Sequence, residues 1–168
     1  MVETNDRRLP VGIQSFEKIR KEGYLYVDKT DIIWQLANRN KTYHYLSRPR
    51  RFGKSVLVDT LEAYFLGKKE LFEGLKIMQL ETEWVKRPVI RLDMSRAGAE
   101  PDTLRSYLDI TFDRLEEEYG ITPKPTARLA DRFNAIIVGA YEQTGQQVAI
   151  LIDEYDSPLQ HSWKTPQH

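Results

Sequence analysis

Gly53-Lys54-Ser55 brings together three residue types that a phosphate chain can use. A glycine turn running into a helix aims successive backbone N–H groups at one ligand. The lysine reaches the β- and γ-phosphates, and the serine hydroxyl joins the shell of a magnesium ion. Three such common residues also recur in surface turns where the lysine is simply solvated. Context separates the two, because the phosphate loop demands a strand before it and a helix after it. A second element ends in acids: Val148-Ala-Ile-Leu-Ile-Asp153-Glu154 is an apolar run that delivers two carboxylates at its carboxyl end. There Asp153 suits magnesium held through water, and Glu154 suits orienting or deprotonating an attacking water. On its own such a run is equally a strand meeting a polar turn, and the loop upstream favours the catalytic role.

Arg48, Arg50 and Arg51 stand near Lys54 as the one dense basic cluster. They are either extra charge for a triphosphate or a nucleic-acid backbone, or part of a solvated turn that compensates nearby acids. Arg48 also occupies the position, five residues before Gly53, where the general phosphate-loop pattern asks for glycine, and arginine tolerates positive φ poorly. His44 falls in an expected strand as a packing residue, and His161 and His168 lack metal-ligand spacing. Trp34, Trp84 and Trp163 are too scattered to form a stacking platform and are assigned to the core.

The elements that must position these groups follow from periodicity. An irregular lead-in precedes a short strand at Tyr24–Val27 and a helix opening near Thr30 with Ile32, Ile33 and Leu36 on its apolar face. Thr42–Ser47 is strand-like, and the turn Arg48-Pro-Arg-Arg-Phe-Gly53 leads into a helix that aligns Val56, Leu57, Thr60, Leu61, Tyr64 and Phe65 and stops at Gly67. Pro88–Met94 alternates as a strand. Two helices follow, one from near Pro101 to Gly120 and one through Leu129, Phe133, Ile136 and Ala140 to Gly145. Val148–Ile152 is a continuous apolar run of the kind buried on both faces of a parallel sheet. Strands separated by helices predict an α/β fold with a largely parallel sheet, in which ligands sit at the carboxyl ends of the strands.

The 25 basic and 25 acidic residues cancel, so no global field recruits nucleic acid, an anionic membrane or an acidic substrate. Forty per cent of residues are apolar and 30 % charged, the balance of an ordinary globular protein and long enough for one sizeable core. With no cysteine, disulfides, thiolate zinc sites and thiol catalysis are excluded, and a reducing, cytoplasmic setting is the expectation. No apolar stretch is long enough to span a bilayer.

Five blocks, in order, carry a resemblance: Phe16-Glu-Lys-Ile-Arg20, Gly23-Tyr-Leu-Tyr-Val-Asp-Lys-Thr30, Leu46-Ser-Arg-Pro-Arg-Arg-Phe-Gly-Lys-Ser55, Glu70-Leu-Phe-Glu-Gly-Leu75 and Ile152-Asp-Glu-Tyr-Asp156. From about Pro10 to Pro158 they resemble the bacterial AAA-ATPase-like family, in which arginine at position 48 of the loop is usual. The resemblance implies a P-loop NTPase-type three-layer sandwich that binds ATP and magnesium. Arg50, Arg51, Phe52, Gly53, Lys54, Ser55 and Val56 would line the nucleotide, Ser55 and Asp153 would hold the metal, and Glu154 would be the catalytic base. It gives no role to Val27-Asp28-Lys29-Thr30.

Complete relatives of this kind continue past the acidic strand into a sensor strand, a helical lid and often a nuclease-like domain. The chain is therefore expected to hold a lead-in over 1–40 and an incomplete core over 41–168, truncated after the acidic strand. A slit or abnormal pairing is then expected between Tyr43–Leu46 and Val148–Ile152, where the missing strand would lie. Neither Asp93 nor Asp153 is followed by the acid-x-lysine of the nuclease constellation. Two alternatives stand beside an ATP-binding module: a non-catalytic remnant that docks a protein partner or self-associates, and a nucleic-acid-processing component.

Overall fold

A computed structural model describes residues 8–39, 43–47, 52–97, 101–124 and 127–157. The chain divides into two compact units, Met1–Lys86 and Arg87–His168, each described by itself.

The first unit contains helices α1 (Phe16–Lys21), α2 (Thr30–Asn38) and α3 (Lys54–Phe65), then two short 3-10 turns at Lys69–Phe72 and Lys76–Gln79. The helix α1 lies in what the periodicity leaves as irregular lead-in. The Ser15 side chain caps it by accepting from the Lys18 N–H at 3.3 Å, and Phe16 and Ile19 form its buried face. Six residues are too few for a periodic signal. In α2, Ile33 is buried as expected but Ile32 is exposed, and the helix packs through Trp34 and Ala37. The core of this unit joins Phe16, Ile33, Ala63, Tyr64, Leu71, Phe72, Leu75 and Ile77. Its aromatic rings meet edge-on or tilted, Phe16 to Tyr26 at 5.1 Å and Phe72 to Trp84 at 5.2 Å between centroids.

Two expected strands do not form. Tyr24–Val27 take no regular structure: Tyr24 N–H donates to the Ile19 carbonyl and Leu25 N–H to that of Arg8. In the second expected strand Thr42 lies outside the described residues, and Tyr43–Ser47 form no strand. Tyr43 is 90 % exposed, and a strand without a hydrogen-bonded neighbour has nothing to hold it extended.

The second unit contains β1 (Val89–Asp93), α4 (Pro101–Glu118), α5 (Leu129–Thr144) and β2 (Ala149–Asp153). The strands pair in parallel, from Val89 opposite Ala149 to Asp93 opposite Asp153, the connection requiring a helical crossover. Helix α5 ends at Gly145, which takes φ +66° as a left-handed cap. Ile90 and Leu92 lie with Phe112, Leu115 and Ile136 in the core, and the rings of Phe112 and Phe133 stack at 5.5 Å. The class is α/β with a small parallel sheet of two strands among the described residues. Val148–Ile152 is not buried on both faces: Ile150 is 40 % and Ile152 49 % exposed. The core residues gather on Ile90 and Leu92 of the neighbouring strand, and no second strand among the described residues pairs with β2. No helix among the described residues is long and apolar enough to cross a membrane.

One arginine locks α4 to α5. Arg132 donates from Nε and Nη2 to both Glu116 carboxylate oxygens at 2.8 and 2.6 Å, from Nη1 to Asp109 at 2.8 Å and from Nη2 to Asp113 at 2.6 Å. Glu116 leads these contacts in holding the guanidinium charged, in the bidentate geometry that suits a planar fork. The Glu116 side chain is only 5 % exposed. Arg132→Ala leaves that carboxylate buried without its cation and is expected to cost about 3 kcal/mol of unfolding free energy in urea titration. The double variant Arg132→Met/Glu116→Leu is expected to lose far less.

In the first unit, the bonds from Lys21 at 2.5 Å and from Lys68 at 2.7 Å hold the Glu17 carboxyl down to about 2 from its ordinary 4.5. Because the folded value is the lower one, these ion pairs stabilise above pH 4.5 and fade as pH falls towards 2. Glu17→Gln is expected to flatten the pH dependence of Tm in that window, as read by circular dichroism melts.

Candidate functional site

Gly53 stands at the N-cap of α3 with φ +72° and ψ 24°, in the left-handed region. A Cβ built there meets nothing within 4 Å, so the backbone conformation, not crowding, is what favours glycine. The first helical bond runs from Leu57 N–H to the Gly53 carbonyl at 3.0 Å. The amides of Lys54, Ser55 and Val56 precede it and have no partner within the helix. Gly53 provides no capping side chain, and the first turn of this 12-residue helix carries no acid. The positive end of a helix dipole, three free amides and the Lys54 ammonium thus share one turn, the electrostatics that suit an anion. Lys54, Ser55 and Val56 are half-buried and Phe52 is exposed. Arg50 and Arg51, with Arg48, lie outside the described residues.

The helix is held from its middle. Asp59 accepts from the Phe16 N–H at 2.6 Å, the Thr60 hydroxyl donates to the Val56 carbonyl at 2.7 Å, and Ala63 and Tyr64 enter the core. The start of α3 is therefore presented by a packed element, as a preorganised binding turn requires.

In the second unit Asp153 is the last residue of β2, 7 % exposed, with one carboxylate oxygen accepting from the Glu154 N–H at 2.9 Å. Glu154 has φ +49°, a left-handed conformation that costs a residue with a Cβ about 1–2 kcal/mol. Its carbonyl accepts from Ser157 N–H at 2.8 Å, closing the turn. Strain of this kind at a residue beside a buried acid is a feature of functional turns.

The register adds a residue that motif reading passed over as a site. Asp93 ends β1 directly opposite Asp153, so two carboxylates share the last rung on one face of the sheet. Asp93 is committed to its own turn: it accepts from the Ser95 N–H at 3.1 Å and the Ser95 hydroxyl at 2.6 Å, and Arg96 stands 3.4 Å away. Its own N–H donates to the Tyr107 hydroxyl at 2.8 Å. Strand alternation ending in Asp93-Met-Ser95 was the available signal; the pairing with Asp153 needs the register.

The left-handed turn makes a prediction. Glu154→Gly relieves the strain and, after the entropy that glycine adds to the unfolded chain, is expected to raise stability by about 0.5–1 kcal/mol. Glu154→Ala keeps the strain and is expected not to. Urea unfolding of both variants is the measurement.

A family model described as Predicted AAA-ATPase matches residues 10–168. Over 165 residues the chain is 38 % identical to an uncharacterized protein in the vnfD 5′ region of Azotobacter chroococcum mcd 1; the match takes in 96 % of this chain and 31 % of that protein. The chain thus spans about a third of that relative's length. No solved structure matches. With a family model covering residues 10–168, the chain belongs to the AAA-ATPase-like family.

Proposed function

We propose that this chain binds ATP with magnesium, as part of a P-loop NTPase whose complete form hydrolyses the nucleotide. The observation that carries it is the left-handed Gly53 opening a packed helix whose first residues are Lys54 and Ser55, and membership of the AAA-ATPase-like family supports it.

The residues fit such a ligand. The amides of Lys54, Ser55 and Val56 would cradle phosphate oxygens, and Lys54 would reach the terminal ones. The Ser55 hydroxyl and the Asp153 carboxylate are hard oxygen donors of the kind magnesium takes, alone or through water. Bound magnesium would supply neutralisation of charge on the phosphate oxygens. Arg50 and Arg51 would add positive charge, and Phe52 would border the nucleotide. Glu154 would act on water: as its oxygen bonds to the γ-phosphorus and the bond to the β-phosphate oxygen breaks, the carboxylate takes the proton and ADP leaves. This reading implies a three-layer sandwich with a larger sheet than the two strands among the described residues.

The test is thermal stabilisation. ATP with magnesium is expected to raise the Tm of the chain, since a ligand that binds only the folded state adds about 2.7 kcal/mol at a hundred times its Kd. Lys54→Ala is expected to abolish that rise. An equal rise in the variant would sink the loop assignment.

A further inference from the structure

The block Val27-Asp28-Lys29-Thr30 has no part in the chemistry proposed above, yet the side chains of Asp28 and Thr30 make four hydrogen bonds, two of them to residues far along the chain. One Asp28 carboxylate oxygen accepts from the Thr30 N–H at 2.9 Å and the Thr30 hydroxyl at 2.7 Å; the other accepts from the Lys76 N–H at 2.8 Å. The Thr30 oxygen in turn accepts from the Ile77 N–H at 3.0 Å. Thr30 and Ile77 are completely buried. Both carboxylate oxygens already accept and the buried hydroxyl has spent its donor, so these bonds tie one stretch of chain to another.

What these bonds hold is the start of α2, whose N-cap residue Lys29 makes no side-chain cap of its own. The far end of α2 is tied to α3, where Asn38 donates to the Tyr64 hydroxyl at 3.4 Å. The chain between the end of α2 and the start of α3, residues 39–53, contains the phosphate loop. The two helices are its anchors. Their relative placement sets the span and the direction from which Gly53 enters α3, and small errors of placement weaken a site built from backbone amides.

We propose that Asp28 and Thr30 are positioning residues for the phosphate loop: they clasp the start of α2 to residues 76–77 and so fix one of the loop's two anchors. This role rests on the ATP-binding reading of that loop. It predicts that losing the clasp loosens nucleotide binding in a chain that is still folded.

The test compares ATP–magnesium Kd by calorimetry, well below Tm, with Tm itself, in four proteins. Thr30→Val keeps the shape and deletes the hydroxyl; Thr30→Ser keeps the hydroxyl; Ile19→Val trims the buried face of α1 and touches none of the clasp bonds. Thr30→Val is expected to raise Kd about three- to tenfold, while Thr30→Ser and Ile19→Val stay within about twofold of the unaltered chain. Asp28→Asn removes the Lys76 tie alone and gives the same comparison if Thr30→Val does not fold. A lower Tm with unchanged Kd in the clasp variants overturns positioning and leaves only a role in folding. An equal loss of affinity in Ile19→Val also overturns it, since general loosening would then suffice. Absence of ATP binding by the unaltered chain overturns the loop reading and this role together.

Discussion

Buried chain without long regular structure must have its backbone polar groups satisfied from elsewhere, and Leu71, Phe72, Leu75 and Ile77, buried between exposed neighbours, impose that constraint on the first unit. Leu71, Phe72, Leu75 and Ile77 are core residues, but only short 3-10 turns organise them. The partners come from the lead-in. Arg20 donates to the carbonyls of Leu71 at 2.8 Å and Glu73 at 2.6 Å, and Asp28 and Thr30 take the amides of Lys76 and Ile77. Three of the five sequence blocks that carry the resemblance therefore do one job together. They satisfy the polar groups of an irregular segment whose Phe72 ring meets Tyr64 of α3 edge-on.

The same logic separates what was legible in the sequence from what was not. Helices α2 to α5 were visible because each has enough turns to show a stripe, and because Gly67, Gly120 and Gly145 take the positive φ that ends a helix. The strands at 24–27 and 43–47 were misread for a single reason. Aromatic residues at alternate positions describe a surface suited to a sheet, not the presence of a partner, and the Tyr26 ring packs on Phe16 instead.

The candidate site was legible where it depends on residue type and hidden where it depends on pairing. Gly53-Lys54-Ser55 at the head of a helix, and Asp153-Glu154 at the end of a strand, were both in view. The left-handed backbone at Glu154 was not, because no glycine or asparagine marks it. Nor was the shared rung of Asp93 and Asp153, since a one-residue slip would have moved one of them to the opposite face. The basic residues 48, 50 and 51 lie outside the described residues, so their part rests on the sequence alone.

The β2 strand has a consequence for how the protein behaves in concentrated solution. Ala149-Ile-Leu-Ile152 carries no charge and no proline, two of its isoleucines are half-exposed, and only β1 pairs with it among the described residues. Such a strand is a template on which another extended apolar segment can add. The charge that ends it is Asp153, the one acid in the strand. The Asp153 carboxylate thus serves as a gatekeeper against aggregation, and neutralising it changes colloidal behaviour.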